Sequence, residues 1–165
     1  MNTTMSKQYR IYLDACCLNR PFDDQTQSRI YLEAQAIMTI INQCQSGMWK
    51  LINSSALISE LNQTPDIDRL QNVKKLLSIA KIKVINSSFI ENRSAELQKL
   101  GFSSYDATHI ASAERSQADV FLTTDDRLLK KAQTNSPLIS VKINNPVQWL
   151  TEVIQTEESN DENPK

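Results

Sequence analysis

Apolar residues along this chain fall into two alternating rhythms. Short continuous runs at 10–13, 49–52, 82–85, 120–122 and, more weakly, 138–143 read as buried strands. Between them, apolar positions three and four apart predict helices. The clearest spans 28–45 on Ile30, Ala34, Ile37, Ile41 and Cys44, with Gly47 placed to cap it in a left-handed conformation. Further helices are predicted from Ser54 or Ser55 to about 63, over 66–80, 88–100, 104–117 and 125–132, and from Pro146 to about 155. The segment 16–27, punctuated by Pro21, Asp23 and Asp24, reads as a loop. Strands alternating with helices predict an α/β fold: a three-layer α/β/α sandwich around a central, mostly parallel sheet of about five strands. The expected organisation is a flexible amino terminus over 1–8, one domain over 9–156, and a disordered acidic tail over 157–165.

Composition narrows the chemistry. At 165 residues the chain suits one core. The two glycines, Gly47 and Gly101, are far apart, which excludes a glycine-rich phosphate loop, a dinucleotide fingerprint or a nucleophile elbow. A single histidine, His109, excludes zinc sites built from several imidazoles. Cys16 and Cys17 are adjacent and Cys44 stands apart, so neither a disulfide framework nor a zinc knuckle is expected, and buried reduced thiols are the default. No apolar run approaches the roughly 20 residues that cross a bilayer, and the first residues lack the apolar stretch of a signal peptide. A cytoplasmic protein with no membrane partner is the expectation. The net charge of −1 divides into −3 over 157–165 and +2 over the rest, too mild to mark a nucleic-acid binder by charge alone.

In parallel α/β folds, working residues gather beyond the carboxyl ends of the strands. Four acids meet that condition. Asp14 follows the first strand, Glu60 lies in the helix after the second, Asp106 opens the helix near Ser104, and Asp125 follows the fourth strand. Carboxylates crowded on one rim repel, and a hard divalent cation with oxygen ligands relieves that repulsion. Each acid also has a purely structural reading. Asp14 can end a strand through an Asx-turn, Asp106 has capping-box spacing from Ser103, Asp125 can cap its helix, and Glu60 can face solvent.

The strings IYLDACCLNRPFDD, SALISEL, GFSSYDATHIASA and DVFLTTDDRLLKKA, in that order, resemble the PIN-domain nucleases, whose familiar members include VapC-type toxins of toxin–antitoxin pairs. The resemblance spans about 9–145. It implies a metal centre of Asp14, Glu60, Asp106 and Asp125, with Thr123 as the small hydroxyl residue supporting it. It also implies Mg²⁺ or Mn²⁺ dependence and in-line hydrolysis of RNA leaving a 5′-phosphate. An antitoxin partner and pairing into a homodimer follow from the same resemblance. One departure stands out: Cys16 occupies a position where the family often has Ser or Asn, and a thiol is a poor ligand for a hard ion. Asn19 or Asp23 is placed to compensate. The alternative is a catalytically weak or inactive PIN-like module that binds RNA or protein. A haloacid-dehalogenase-type phosphatase would need an Asp at Cys16 and is discounted.

Among the remaining residues, Arg20, Arg29, Arg127, Lys130 and Lys131 are candidates for phosphate contacts, weighed evenly against a solvated charged face. His109 lies one helical turn beyond Asp106, but a structural histidine is the favoured reading. Trp49 and Trp149 sit in apolar segments and are expected in the core.

Overall fold

A computed structural model describes residues 7–162. Five strands form one sheet: β1 (Arg10–Leu13), β2 (Lys50–Ser54), β3 (Ile82–Val84), β4 (Val120–Leu122) and β5 (Lys142–Asn144). Their order is β3-β2-β1-β4-β5, and every neighbouring pair is parallel. Eight helices connect and cover them: α1 (Ala15–Asn19), α2 (Ser28–Gln45), α3 (Ser55–Leu61), α4 (Ile67–Leu77), α5 (Ser88–Lys99), α6 (Ser104–Arg115), α7 (Asp126–Thr134) and α8 (Pro146–Glu162). The result is the expected three-layer sandwich.

β1 lies at the centre, covered on both faces, so Ile11, Tyr12 and Leu13 are all fully buried. Around it α2 packs against α8, and α5 against α6. Tyr9, Trp49 and Trp149 meet edge to face, with ring centroids 5.2 to 5.6 Å apart, at the amino ends of β1 and β2. Both tryptophans are buried, as their apolar surroundings predict. This aromatic plug seals the end of the sheet opposite the acids.

Two local departures have physical causes. The segment expected as loop begins with α1, because the Asp14 carboxylate accepts the Ala15 N–H and so caps a helical turn that buries Cys17 and Leu18. A 3-10 turn, Arg20–Phe22, follows with Pro21 in its first positions. The fifth strand is shorter than 138–143, because Pro137 sets a 3-10 turn at Ser136–Leu138 and leaves Leu138 exposed. Gly47 adopts φ +89° just past α2, the left-handed cap its position predicts. Helix α8 runs on to Glu162, past the predicted end near 155. Expectations for residues 1–6 and 163–165 lie outside the described residues.

Candidate active site

Register places the first pair of groups. Leu13 on β1 pairs with Leu122 on β4, so Asp14 and Thr123 leave the sheet side by side, and the Asp14 N–H donates to Leu122 O at 2.9 Å. The Asp14 carboxylate is 6% exposed, and both oxygens are held. Oδ1 accepts the Ala15 N–H at 2.8 Å. Oδ2 accepts the Thr123 hydroxyl at 2.8 Å and the Cys16 thiol at 3.4 Å. The capping role and the site role of Asp14 therefore coexist, one oxygen serving each. Thr123 Oγ1 also accepts the Asp125 N–H at 3.1 Å, linking two of the acids through one hydroxyl. Cys16 faces the site too: its sulfur lies 3.4 Å from Thr123 Oγ1 and accepts the Thr124 N–H.

Glu60 reaches the same rim from α3, whose start is capped by Ser54 at the end of β2. One oxygen each of Asp14 and Glu60 and one ring nitrogen of His109 lie within 4.8 Å of one another. His109 Nε2 is 2.7 Å from Glu60 Oε1, and the imidazole is fully buried. Burial itself agrees with a structural histidine. Its contact with Glu60 was missed in the sequence, although the one-turn spacing from Asp106 was the available signal.

Asp106 and Asp125 stand at helix starts. Ser103 Oγ accepts the Asp106 N–H at 3.1 Å, and Asp125 Oδ1 accepts the N–H groups of Arg127 and Leu128 at the start of α7. Neither joins the 4.8 Å group among the described residues. They are nonetheless within electrostatic reach. Burial pushes the Asp106 carboxyl above its usual range, and the negative charges of Asp14 and Asp125 add to the rise. Asp14 is likewise raised by burial, against the opposing bond from the Thr123 hydroxyl, with Glu60 pushing the same way as burial. Negative charge is crowded here without enough positive charge from the chain to compensate it.

The loop and basic residues divide sharply. Asn19 Oδ1 and Asp23 Oδ1 both accept from Arg69 Nη1, at 3.1 and 3.0 Å, so both expected compensators for Cys16 are tied to α4. Arg20 Nε donates to Glu33 Oε1 at 2.8 Å, and its Nη1 to Asp23. Arg29 Nε donates to Glu33 Oε2, while its Nη atoms grip Asp126 and Thr124 O. These two guanidiniums hold the scaffold rather than standing free for phosphate. Arg127 and Lys130 are exposed with no acidic partner among the described residues. With Lys131 and Asn135 they line an open depression of about 450 Å³ beside α7. The Lys131 ammonium is bonded to Gly101 O. Arg69 carried no sequence signal, since its partners lie 46 to 50 positions away; for Glu33 the available signal was the one-turn spacing from Arg29, while its bonds to Arg20 and Asn145 had none.

A family comparison decides what these residues belong to: the PIN domain model matches residues 11–133. The chain belongs to the PIN-domain family. PIN domains are generally metal-dependent nucleases. The fold of this PIN domain is similar to the crystal structure of PAE2754 from Pyrobaculum aerophilum, with a TM-score of 0.51 and 19% identity over 90% of this chain and 99% of that one. It is also similar to VapBC2 from Rickettsia felis, solved bound to a DNA fragment from its promoter. That match has a TM-score of 0.53 and 12% identity over 82% of this chain and 98% of that one. No curated protein matches the chain. Among the described residues, no helix of this PIN domain is long and apolar enough to cross a membrane.

Proposed function

We propose that this PIN domain is a divalent-metal-dependent endoribonuclease acting in the cytoplasm as the toxin of a toxin–antitoxin pair. The observation that carries the reading is Asp14, a buried carboxylate at the end of the central strand, facing a second carboxylate from Glu60. The donor set fits a hard ion. Its atoms are carboxylate oxygens, and the raised carboxyls of Asp14 and Asp106 are those a cation would draw back toward the usual range. Asp14, Asp106 and Asp125 would hold Mg²⁺ or Mn²⁺, with Glu60 reaching it through water or holding a second ion. When bound, the ion supplies water activated near neutral pH and braces the phosphodiester as it breaks.

The chain's own residues do the positioning. Thr123 and Cys16 keep Asp14 Oδ2 aimed at the rim, and Thr123 fixes the backbone of Asp125 at the same time. Arg127 and Lys130 take up backbone phosphates on the exposed shelf beside α7. On the family pattern the partners are RNA, an antitoxin and a second copy of the chain. Cleavage of RNA with Mn²⁺ by the parent, abolished in Asp14→Asn and in Asp106→Asn, is the expected result. Activity surviving both changes rejects the site. Growth arrest on expression, relieved by Asp14→Asn, tests the toxin role.

A second reading, an inactive module binding RNA or protein, draws on Cys16. It predicts RNA binding without cleavage by the parent, and cleavage gained by Cys16→Ser.

A further inference from the structure

Glu60 poses a problem the metal reading leaves open. It sits on a short helix with its side chain 35% exposed, and its carboxylate faces that of Asp14. A glutamate has three rotatable bonds, and charge repulsion would turn it toward water. The contact opposing that turn is the 2.7 Å hydrogen bond from His109.

The bond is itself braced from behind. A nitrogen facing a carboxylate must carry the proton, so Nε2–H donates to Glu60. His109 Nδ1 then accepts the Tyr12 hydroxyl at 2.6 Å, and the Tyr12 oxygen accepts the Ser54 hydroxyl at 2.6 Å. Ser54 Oγ in turn accepts the Leu57 N–H at 3.0 Å, the cap of the helix that carries Glu60. Each donor finds one acceptor, and the chain ends on the helix where it began. The imidazole ring is also enclosed: it stacks on Tyr105 at 6.2 Å and meets Tyr12 and Phe121 edge-on at 5.7 and 6.3 Å. Tyr105 is tied back toward α3, its hydroxyl accepting Gln63 Nε2 at 2.7 Å.

From this geometry we propose that His109 is a positioning residue, holding the Glu60 carboxylate over Asp14 through the buried Ser54–Tyr12–His109 chain before any ion arrives. The proposal rests on the reading of the rim as a metal centre. Partners that orient ligands in this way are typically worth about 10- to 100-fold in metal affinity.

The test titrates the full-length chain with Mn²⁺ by calorimetry and pairs it with crystal structures of the metal-free proteins. His109→Phe keeps a ring in the aromatic cage but removes the donor. It should weaken Mn²⁺ binding by about 10-fold or more, with Glu60 turned to solvent in the crystal. His109→Gln, whose amide can donate, should recover most of the affinity. In a Glu60→Ala background, His109→Phe should change nothing further. Unchanged affinity, or a loss that persists without Glu60, overturns the proposal. Should His109→Phe not fold, Tyr12→Phe carries the test: it removes the bond that braces Nδ1, and affinity equal to the parent's refutes the chain. A parent that binds no Mn²⁺ defeats the metal reading alone. The position of Glu60 in the metal-free variant crystals then decides the role of His109 by itself.

Discussion

Glu33 offers the sharpest test of how the scaffold holds the site. It is 2% exposed on α2, and three groups converge on it: Arg29 one turn earlier on the same helix, Arg20 from the preceding 3-10 turn, and Asn145 from beyond β5. Arg29 continues to Thr124 O and Asp126, on either side of Asp125, so the network fixes the corner from which one candidate ligand projects. Consider Glu33→Ala. The Arg20 bond at 2.8 Å joins charged groups and is worth about 1.5 kcal/mol, the low end for charged hydrogen bonds, because water can replace it. The Arg29 side chain is 52% exposed, so its bond to Glu33 adds only about 0.5 kcal/mol. The bond from the Asn145 amide to the Glu33 carboxylate adds about 1 kcal/mol. The sum is about 3 kcal/mol, which for a domain of this size lowers Tm by about 6–12 °C. Thermal unfolding followed by circular dichroism measures it, with urea unfolding as the check. A fall below about 2 °C would show that desolvating Glu33 cancels the attraction, and the argument for a stabilising network would fail. Loss of the difference in 1 M NaCl (about a 3 Å Debye length) would place the pair in screened solvent, again against the reasoning.

Other outcomes follow from the same geometry. Asp14→Asn should abolish Mn²⁺ binding yet raise the Tm of the metal-free protein at neutral pH. Burial raises the Asp14 pKa, so the folded state favours the protonated form, and the stability this confers is present in acid and lost as pH rises through the raised value. The variant's advantage should therefore shrink as pH falls from the raised value to the usual carboxylate pKa, and an advantage that grows in acid would contradict the sign. Charge reversal at Arg127 or Lys130 should weaken RNA binding uniformly across sequences and reduce the salt slope by about 1 per lost phosphate contact; an unchanged slope would move the RNA path elsewhere. Arg69→Ala removes the bonds to Asn19, Asp23 and Phe22 O and should speed amide exchange over the segment after α1, with β1 unchanged. Protection equal to the parent's would mean that Pro21 and packing alone hold that turn.

Much of the frame was legible from the residues in order. Strand β1, helix α2, strand β4 and the left-handed Gly47 follow from local periodicity and backbone preference, and the acids could be placed at strand ends and helix starts for the same reason. The motifs also carried the family. The chain order did not reveal how charge was apportioned. Arg20 and Arg29 look like Arg127 and Lys130 in a string of letters, yet two grip the buried Glu33 and two have no acidic partner among the described residues. Nor did it show that Asn19 and Asp23 are claimed by Arg69, 50 and 46 positions away. His109 is the clearest case. Its burial was expected from its neighbours, but its bond to Glu60, 49 residues earlier, exists only because parallel pairing brings α3 and α6 to one edge. Local propensity and hydrophobic pattern act over a few residues and are written in the sequence. Which polar atoms meet is decided by sheet order and side-chain direction, and those arise only when the chain closes on itself.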